Sequence, residues 1–463
     1  MRNKVKKAAV LISILAFFVT SSAYADTSFW QQAKAVFSNN QHKHPNRTEI
    51  VFWHSFGGSL GASLRKIIAE FNNTQNTYYV VAVNKSNYEN SLTSAATAFR
   101  SHTQPNILLS YEIGAAMMIH SGGAIIPLYK LLNMTGVKIN THDFWPAVGG
   151  YYSVDNKLAG FPFNSSSPVL FYNKNVLEKA GIKTPPRTWQ QMDAFAKRLQ
   201  GVGQSCIFTT GYPSWILLEE FSAWNNLPYA SENNGFDSLA PKLLFNNKTV
   251  VDFLTQLYHW AQEGVFMYGG RLGSSDSLFT SGKCAMTMQS SSMIADFSKV
   301  KSFKTGVAPI PFWKTNTNTH PQNTIIGGGA LWTFALPKDT PNKAKIYKGV
   351  ALFYQFLSKA SIQAEWAKAT GYIPATKSAY NLLKQEGFYK KNPYAEVALQ
   401  ELNNLPPKPY TKGIRLGNFP LIRQVNDAML EQIFSGDQSA KNALQDGVES
   451  GNRLIMQFYQ QNR

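Results

Sequence analysis

At 463 residues the chain exceeds the size at which one hydrophobic core keeps growing, so two or more lobes are expected. Hydrophobic residues at 44% and aromatics at 13% exclude a largely disordered chain. The formal charge of +18, from 45 Lys and Arg against 27 Asp and Glu, favours an anionic partner: nucleic acid, a membrane surface or an acidic small molecule.

Arg2, Lys4, Lys6 and Lys7 precede an apolar run from Ala8 to Thr20, followed by Ser21-Ser22-Ala23-Tyr24-Ala25. This is an export signal over 1–25, cut after Ala25; the apolar run is shorter than the ~20 residues a spanning helix needs. Residues 26–48 form an N-terminal extension with one short amphipathic piece and a polar run, and no function is assigned to it. From Glu49 strand and helix alternate. Ile50 to Trp53 is a buried strand, and Leu60, Leu64, Ile67, Ile68 and Phe71 fall at helical spacing behind Ser59 as N-cap. Tyr78 to Val83 is a strand, Leu92 to Phe99 a helix, and Asn106 to Leu109 a third strand ending at Tyr111-Glu112. That order predicts a parallel sheet with ligands bound at the carboxyl ends of its strands.

A small hairpin turn is expected over Val154 to Leu158, and Phe163 to Pro168 breaks the pattern before a strand from Val169 to Tyr172. Thr188 and Gln191 form a capping box for a helix from Trp189 to Leu199. Further helices are predicted over 250–263, 343–357, 362–370, 426–433 and 440–459. Cys206 and Cys284 either form one disulfide in an oxidising compartment or remain buried thiols. The apolar run of Ile325 and Ile326 continues into Gly327, Gly328 and Gly329. Bare backbone there serves either to offer amides to an anion such as phosphate or to let two elements cross closely.

Gly57-Gly58-Ser59-Leu60-Gly61 matches a hydrolase nucleophile elbow, which makes a secreted esterase using Ser59 one reading. Its place after the first strand argues against that. Basic residues are dispersed rather than gathered on one element, which argues against nucleic acid. The scattered histidines support no metal site, and no cofactor motif is present. Aromatic and small polar residues gather instead in short irregular stretches: 87–89, 111–112, 164–167, 212–215, 290–292, 371–374 and 415–423. Together they read as the lining of a cleft.

Those stretches carry a resemblance. Phe-Trp-His-Ser at 52–55, Asn-Tyr-Glu at 87–89, Pro-Phe-Asn-Ser-Ser at 162–166, Phe-Ser-Ala-Trp-Asn at 221–225, Cys-Ala-Met-Thr at 284–287, Ile-Ile-Gly-Gly at 325–328, Thr-Gly-Tyr at 370–372 and Arg-Leu-Gly-Asn at 415–418 occur in order. The chain resembles the family 1 extracellular solute-binding proteins of ABC importers, in particular the glycerol-3-phosphate binders. The resemblance implies an α/β, two-lobed periplasmic binding protein fold of type II, each lobe a mainly parallel sheet flanked by helices. Lobe 1 would comprise 49–163 and 331–373, and lobe 2 would comprise 167–328 and 376–463, with crossings near 163–167, 326–331 and 372–375. It further implies a monomer in the periplasm of a Gram-negative bacterium that performs no chemistry and docks on permease and ATPase subunits.

Carried over by position, the implied ligand contacts are Tyr88, Glu112, Ser166, Trp215, Ser290, Gly328, Tyr372 and Arg423. Arg423 suits phosphate and Glu112 suits glycerol hydroxyls. Tyr212 stands where the glycerol-3-phosphate binders carry a second tryptophan, which opens the cleft to a glycerophosphodiester such as glycerophosphocholine. A sugar receptor of the same family is the alternative.

Overall fold

The computed structural model describes residues 46–463. The expected export signal and most of the expected extension lie outside the described residues; the first strand starts at Thr48, the last residue given to that extension.

Strand β1 (Thr48–His54) buries Ile50, Phe52 and Trp53, and helix α1 (Gly58–Thr74) turns Leu64, Ile67, Ile68 and Phe71 inward at the spacing of one helical face. Ser59 is not its cap. Gly57 holds that position without a side-chain bond, and Ser59 Oγ donates to the Asp296 carboxylate at 3.0 Å. Strand β2 (Tyr78–Asn84), helix α2 (Tyr88–Arg100) and strand β3 (Ile107–Tyr111) follow, and β1 pairs in parallel with both β2 and β3, as the alternation predicts. Strand β4 (Ile125–Ile126) adds an edge. A two-residue hairpin then turns at Asp155 and Asn156, both at positive φ.

Strands β5 (Phe161–Ser166) and β6 (Pro168–Asn173) are separated by Ser167 alone. Thr188 and Gln191 cap a turn that leads into α3 (Met192–Gln200), with the Thr188 N–H donating to Gln191 Oε1 at 3.1 Å. Strand β7 (Cys206–Thr210) precedes a π-helical turn, Trp215–Glu220, and helices α4 (Lys248–Gln262) and α5 (Asp276–Thr280) lead to strand β8 (Cys284–Ser290). Strands β9 (Thr305–Ala308) and β10 (Gly327–Phe334) complete the sheets. Helices α6 (Lys343–Leu357), α7 (Ala360–Thr370), α8 (Lys377–Gln385), α9 (Phe419–Ser435) and α10 (Ala440–Asn462) fill the C-terminal part.

The first sheet runs β2-β1-β3-β10-β4 with β5 also on β10, and the second runs β9-β6-β8-β7. Both are mixed rather than mainly parallel. Strands β3, β7 and β8 end at the cleft, whereas β6 and β10 start there as the chain crosses between the bodies. They therefore run antiparallel to their neighbours, with Pro168 opposite Ser290 and Gly329 opposite Tyr111. The topology leaves carboxyl ends from both sheets facing one crevice, the usual ligand position in such folds.

Two aromatic cores anchor the bodies. In the first, Phe163, Trp366 and Tyr372 stack in series, with ring centroids 5.0 and 5.7 Å apart. Each buried ring contributes about 1.5–3 kcal/mol, which also fixes Tyr372 at the cleft. In the second, Trp189 packs against Phe253 and Trp260. Cys206 and Cys284, neighbours in the parallel β7–β8 register, form a disulfide with Cα atoms 4.4 Å apart. Closing a loop with sequence separation 78 is worth ~4 kcal/mol in the chain-entropy account.

Helix α8 corrects the division of the chain after Ala375. Leu383 and Tyr389 pack on Ala364 and Ala367 of α7, so residues 377–391 sit on the first body rather than the second. The chain reaches the second body near Tyr394, whose hydroxyl accepts from Lys174, and Ala398, whose carbonyl accepts from Ser167.

Candidate functional site: a cavity between two bodies

All nine residues singled out in the sequence line one cavity of about 260 Å³ between the bodies. From the first body come Tyr88, at the start of α2 behind its cap Asn87, and Glu112, just past β3. The crossings supply Ser166, Gly328 and Tyr372. The second body supplies Tyr212, Trp215, Ser290 and Arg423.

Tyr88 stacks on Tyr111 with centroids 5.0 Å apart, and its hydroxyl accepts from Asn164 Nδ2 at 2.8 Å. Ser290 shares a hydroxyl contact of 2.9 Å with Ser292. Trp215 is 5% exposed and its indole N–H has no hydrogen-bond partner among the described residues, so an unsatisfied donor lies beside the cavity. Gly328 lies at φ +92, where a side chain would drive into the Asn164 carbonyl oxygen of the facing strand.

Arg423 departs from the role read in the sequence. Its Nε and Nη2 donate to both oxygens of Glu219 at 2.8 and 2.6 Å, and Nη2 also donates to Glu112 Oε1 at 2.8 Å. The physical reason is burial. A guanidinium and two carboxylates, all largely removed from water, must neutralise one another. Burial alone would lower the Arg423 pKa, but Glu219 and Glu112 raise it well above the ordinary value. Conversely, burial pushes Glu219 up to about 7 against the pull of Arg423. Nη1 has no acceptor among the described residues, so two N–H donors of the fork remain for a ligand.

Among the wall residues that escaped the sequence reading are Asp427, Asp276, Gln289 and Leu272. Asp427 was within reach, since it lies one turn beyond Arg423 on α9. Its Oδ1 accepts from Ser214, and burial raises its pKa. Glu219, which orients Arg423, sits on the π-helical turn, whose register no helical period reveals.

The bodies are drawn together in this conformation. Ser59 meets Asp296, Arg423 meets Glu112, and Tyr151 donates to the Ile414 carbonyl at 2.7 Å. Ser59 is thereby bonded to a carboxylate on the other body. No histidine among the described residues hydrogen-bonds it, as an elbow serine needs.

Two α/β bodies joined by crossing strands around an aromatic, hydroxyl-rich cavity define a solute-binding protein. Residues 66–397 match the family described as bacterial extracellular solute-binding protein, and the chain belongs to that family. It is 43% identical over 420 residues to the sn-glycerol-3-phosphate-binding periplasmic protein UgpB of Yersinia pseudotuberculosis, covering 90% of this chain and 94% of that protein. The UgpB of Escherichia coli K12 is 42% identical over 417 residues, covering 89% and 93%. Among solved structures, UgpB of Mycobacterium tuberculosis in complex with glycerophosphocholine superposes with a TM-score of 0.73 at 20% identity, covering 88% of this chain and 98% of that one, which shows the shared fold. These relatives are solute-binding proteins rather than enzymes, and those named at 42–43% identity are periplasmic.

Proposed function

We propose that this protein is the periplasmic receptor of an ABC importer, exported by a signal cleaved after Ala25. It captures sn-glycerol 3-phosphate or a glycerophosphodiester such as glycerophosphocholine and delivers it, as a monomer, to a permease with paired ATPase subunits. The observation that carries the reading is the convergence of Ser166, Ser290, Tyr372, the Trp215 N–H and the uncommitted Nη1 of Arg423 on one cavity. Such neutral and charge-assisted donors suit phosphate oxygens. Glu112 accepts from the glycerol hydroxyls, and Tyr88 packs on the carbon skeleton. Closure turns on the crossings near 163–167 and 326–331 and on a third near 392–397, with the ligand favouring the closed form by bridging both faces.

Calorimetric titration of the mature protein tests the ligand. One-to-one saturable binding of glycerol 3-phosphate or glycerophosphocholine is expected, with no heat from maltose. Binding of maltose alone would keep the fold and overturn the ligand class.

A further inference from the structure

On the second body the chain winds left-handed at Glu232, Asn233 and Asn234, with φ of 55, 52 and 56, and Gly235 continues at 84. Successive non-glycine residues in that region carry a cost that a fold tolerates where a position must be fixed. Asn234, 1% exposed, is what the turn fixes. Its Oδ1 accepts the N–H groups of Tyr229 and Ala230 at 3.1 and 2.9 Å, and its Nδ2 donates to the Gly413 carbonyl at 3.2 Å. Its own carbonyl accepts the Arg415 N–H at 2.9 Å. The turn therefore locks the loop over 413–416 onto the second body, where Ile414 and Leu416 enter the core.

That loop presents to the first body a cation without an anion. Arg415 Nη2 donates to the Tyr151 carbonyl and, at 3.0 Å, to the Ser153 carbonyl. Both acceptors belong to the first body, whose core holds Tyr151 and Tyr152. No carboxylate among the described residues pairs with Arg415, and its Nε is buried without an acceptor. Burial lowers its pKa, and only the Tyr151 hydroxyl pulls the other way. The ring of Phe236, next to the strained turn, lies 4.3 Å from the guanidinium and holds it in reach of the first body. In the opposite direction the Tyr151 hydroxyl bridges the carbonyls of Ile414 and Glu112 at 2.7 and 3.0 Å. Its ring rests on bare backbone, since a Cβ on Gly413 would fall 2.5 Å from it.

Two charge-assisted bonds favour this contact, and a guanidinium withdrawn from water without a counter-charge opposes it. The balance is small, so the contact adds to closure without holding the bodies shut by itself. Resting on the receptor reading above, we propose that Arg415 and Tyr151 form a latch between the bodies that slows release of the ligand without touching it. Neither residue lines the ligand cavity. Both are positioning residues, acting on the lifetime of the closed form, and the guanidinium returns to water when the bodies part. Asn234 and Phe236 keep the arginine aimed, so little ordering is needed for it to engage again.

The test is stopped-flow binding and release of glycerol 3-phosphate and of glycerophosphocholine by the wild type, Arg415→Ala and Tyr151→Phe. Arg415→Ala is expected to raise the dissociation rate about tenfold, by the same factor on every ligand bound, with association within about threefold. Tyr151→Phe, which leaves Arg415 its carbonyl acceptors, is expected to raise it about threefold or more. A purely structural role would lower the melting temperature of the ligand-free variants and leave dissociation unmoved. Dissociation within about twofold of the wild type in either variant, or a change confined to one of two bound ligands or to association, would overturn the latch and leave the receptor reading intact. A wild type that binds neither compound would overturn both. Tyr151→Phe decides the matter if Arg415→Ala does not fold.

Discussion

Replacing Arg423 with alanine is expected to destabilise the fold by about 3–5 kcal/mol and to abolish ligand binding. The substitution strands Glu112 and Glu219, 7% and 1% exposed, without their shared cation. Glu219, with an ordinary value of 4.5, is already pushed up to about 7 by burial, and without the guanidinium it rises further. A raised acid favours the folded state below its unfolded value and loses that contribution as pH climbs through the folded one. Wild type and variant lose this contribution in parallel up to about pH 7, the folded value of Glu219 in the wild type, so the deficit of the variant should widen only above it, and denaturant unfolding at about pH 6 and about pH 8 reads it directly. Adding Glu219→Gln should recover part of the loss. A deficit under about 1 kcal/mol, or one that ignores pH, would show that the three groups are not coupled as described.

Gly328→Ala is expected to cost roughly 4 kcal/mol or more, in the range reserved for a specific structural fault. The added Cβ would stand 1.7 Å from the Asn164 carbonyl oxygen, a backbone atom of β5. It cannot move without opening the β5–β10 register that joins Gly328 to Ser165. The control is Gly58→Ala, also at positive φ but with nothing within 4 Å of the new atom. That change should cost only ~1–2 kcal/mol of backbone strain. Thermal melting of the two variants separates clash from conformation, and equal losses would refute the close crossing.

The three glycines illustrate what the sequence holds and what it hides. Their run signals bare backbone, but phosphate binding and close crossing fit it equally well. All three meet neighbouring atoms at short range: Gly327 the Trp215 ring, Gly328 the Asn164 carbonyl and Gly329 the Ser110 carbonyl. Close approach therefore accounts for the run, and it places Gly328 on the cavity wall as well. Helices α4, α6, α7 and α10 were legible because their apolar faces repeat at helical spacing. Strands β7 and β8 were not, because both are buried on both faces and show no alternation. Which charges Arg423 meets depends on contacts across 204 and 311 residues of chain, which no local pattern records. Its pairing with Glu112 and Glu219 had to be seen in the fold. The same holds for Ser59, read as a cap and found bridging to Asp296 across 237 residues.

Those bridges make closure measurable. Solution X-ray scattering of the mature protein, with and without saturating glycerophosphocholine or glycerol 3-phosphate, tests most directly whether the two bodies act as a clamp. The radius of gyration should fall when ligand is added, because Ser59–Asp296 and Arg423–Glu112 join opposite walls in this conformation and the proposed opening would separate them. Superimposable profiles with and without a ligand that calorimetry shows to be bound would contradict capture by closure.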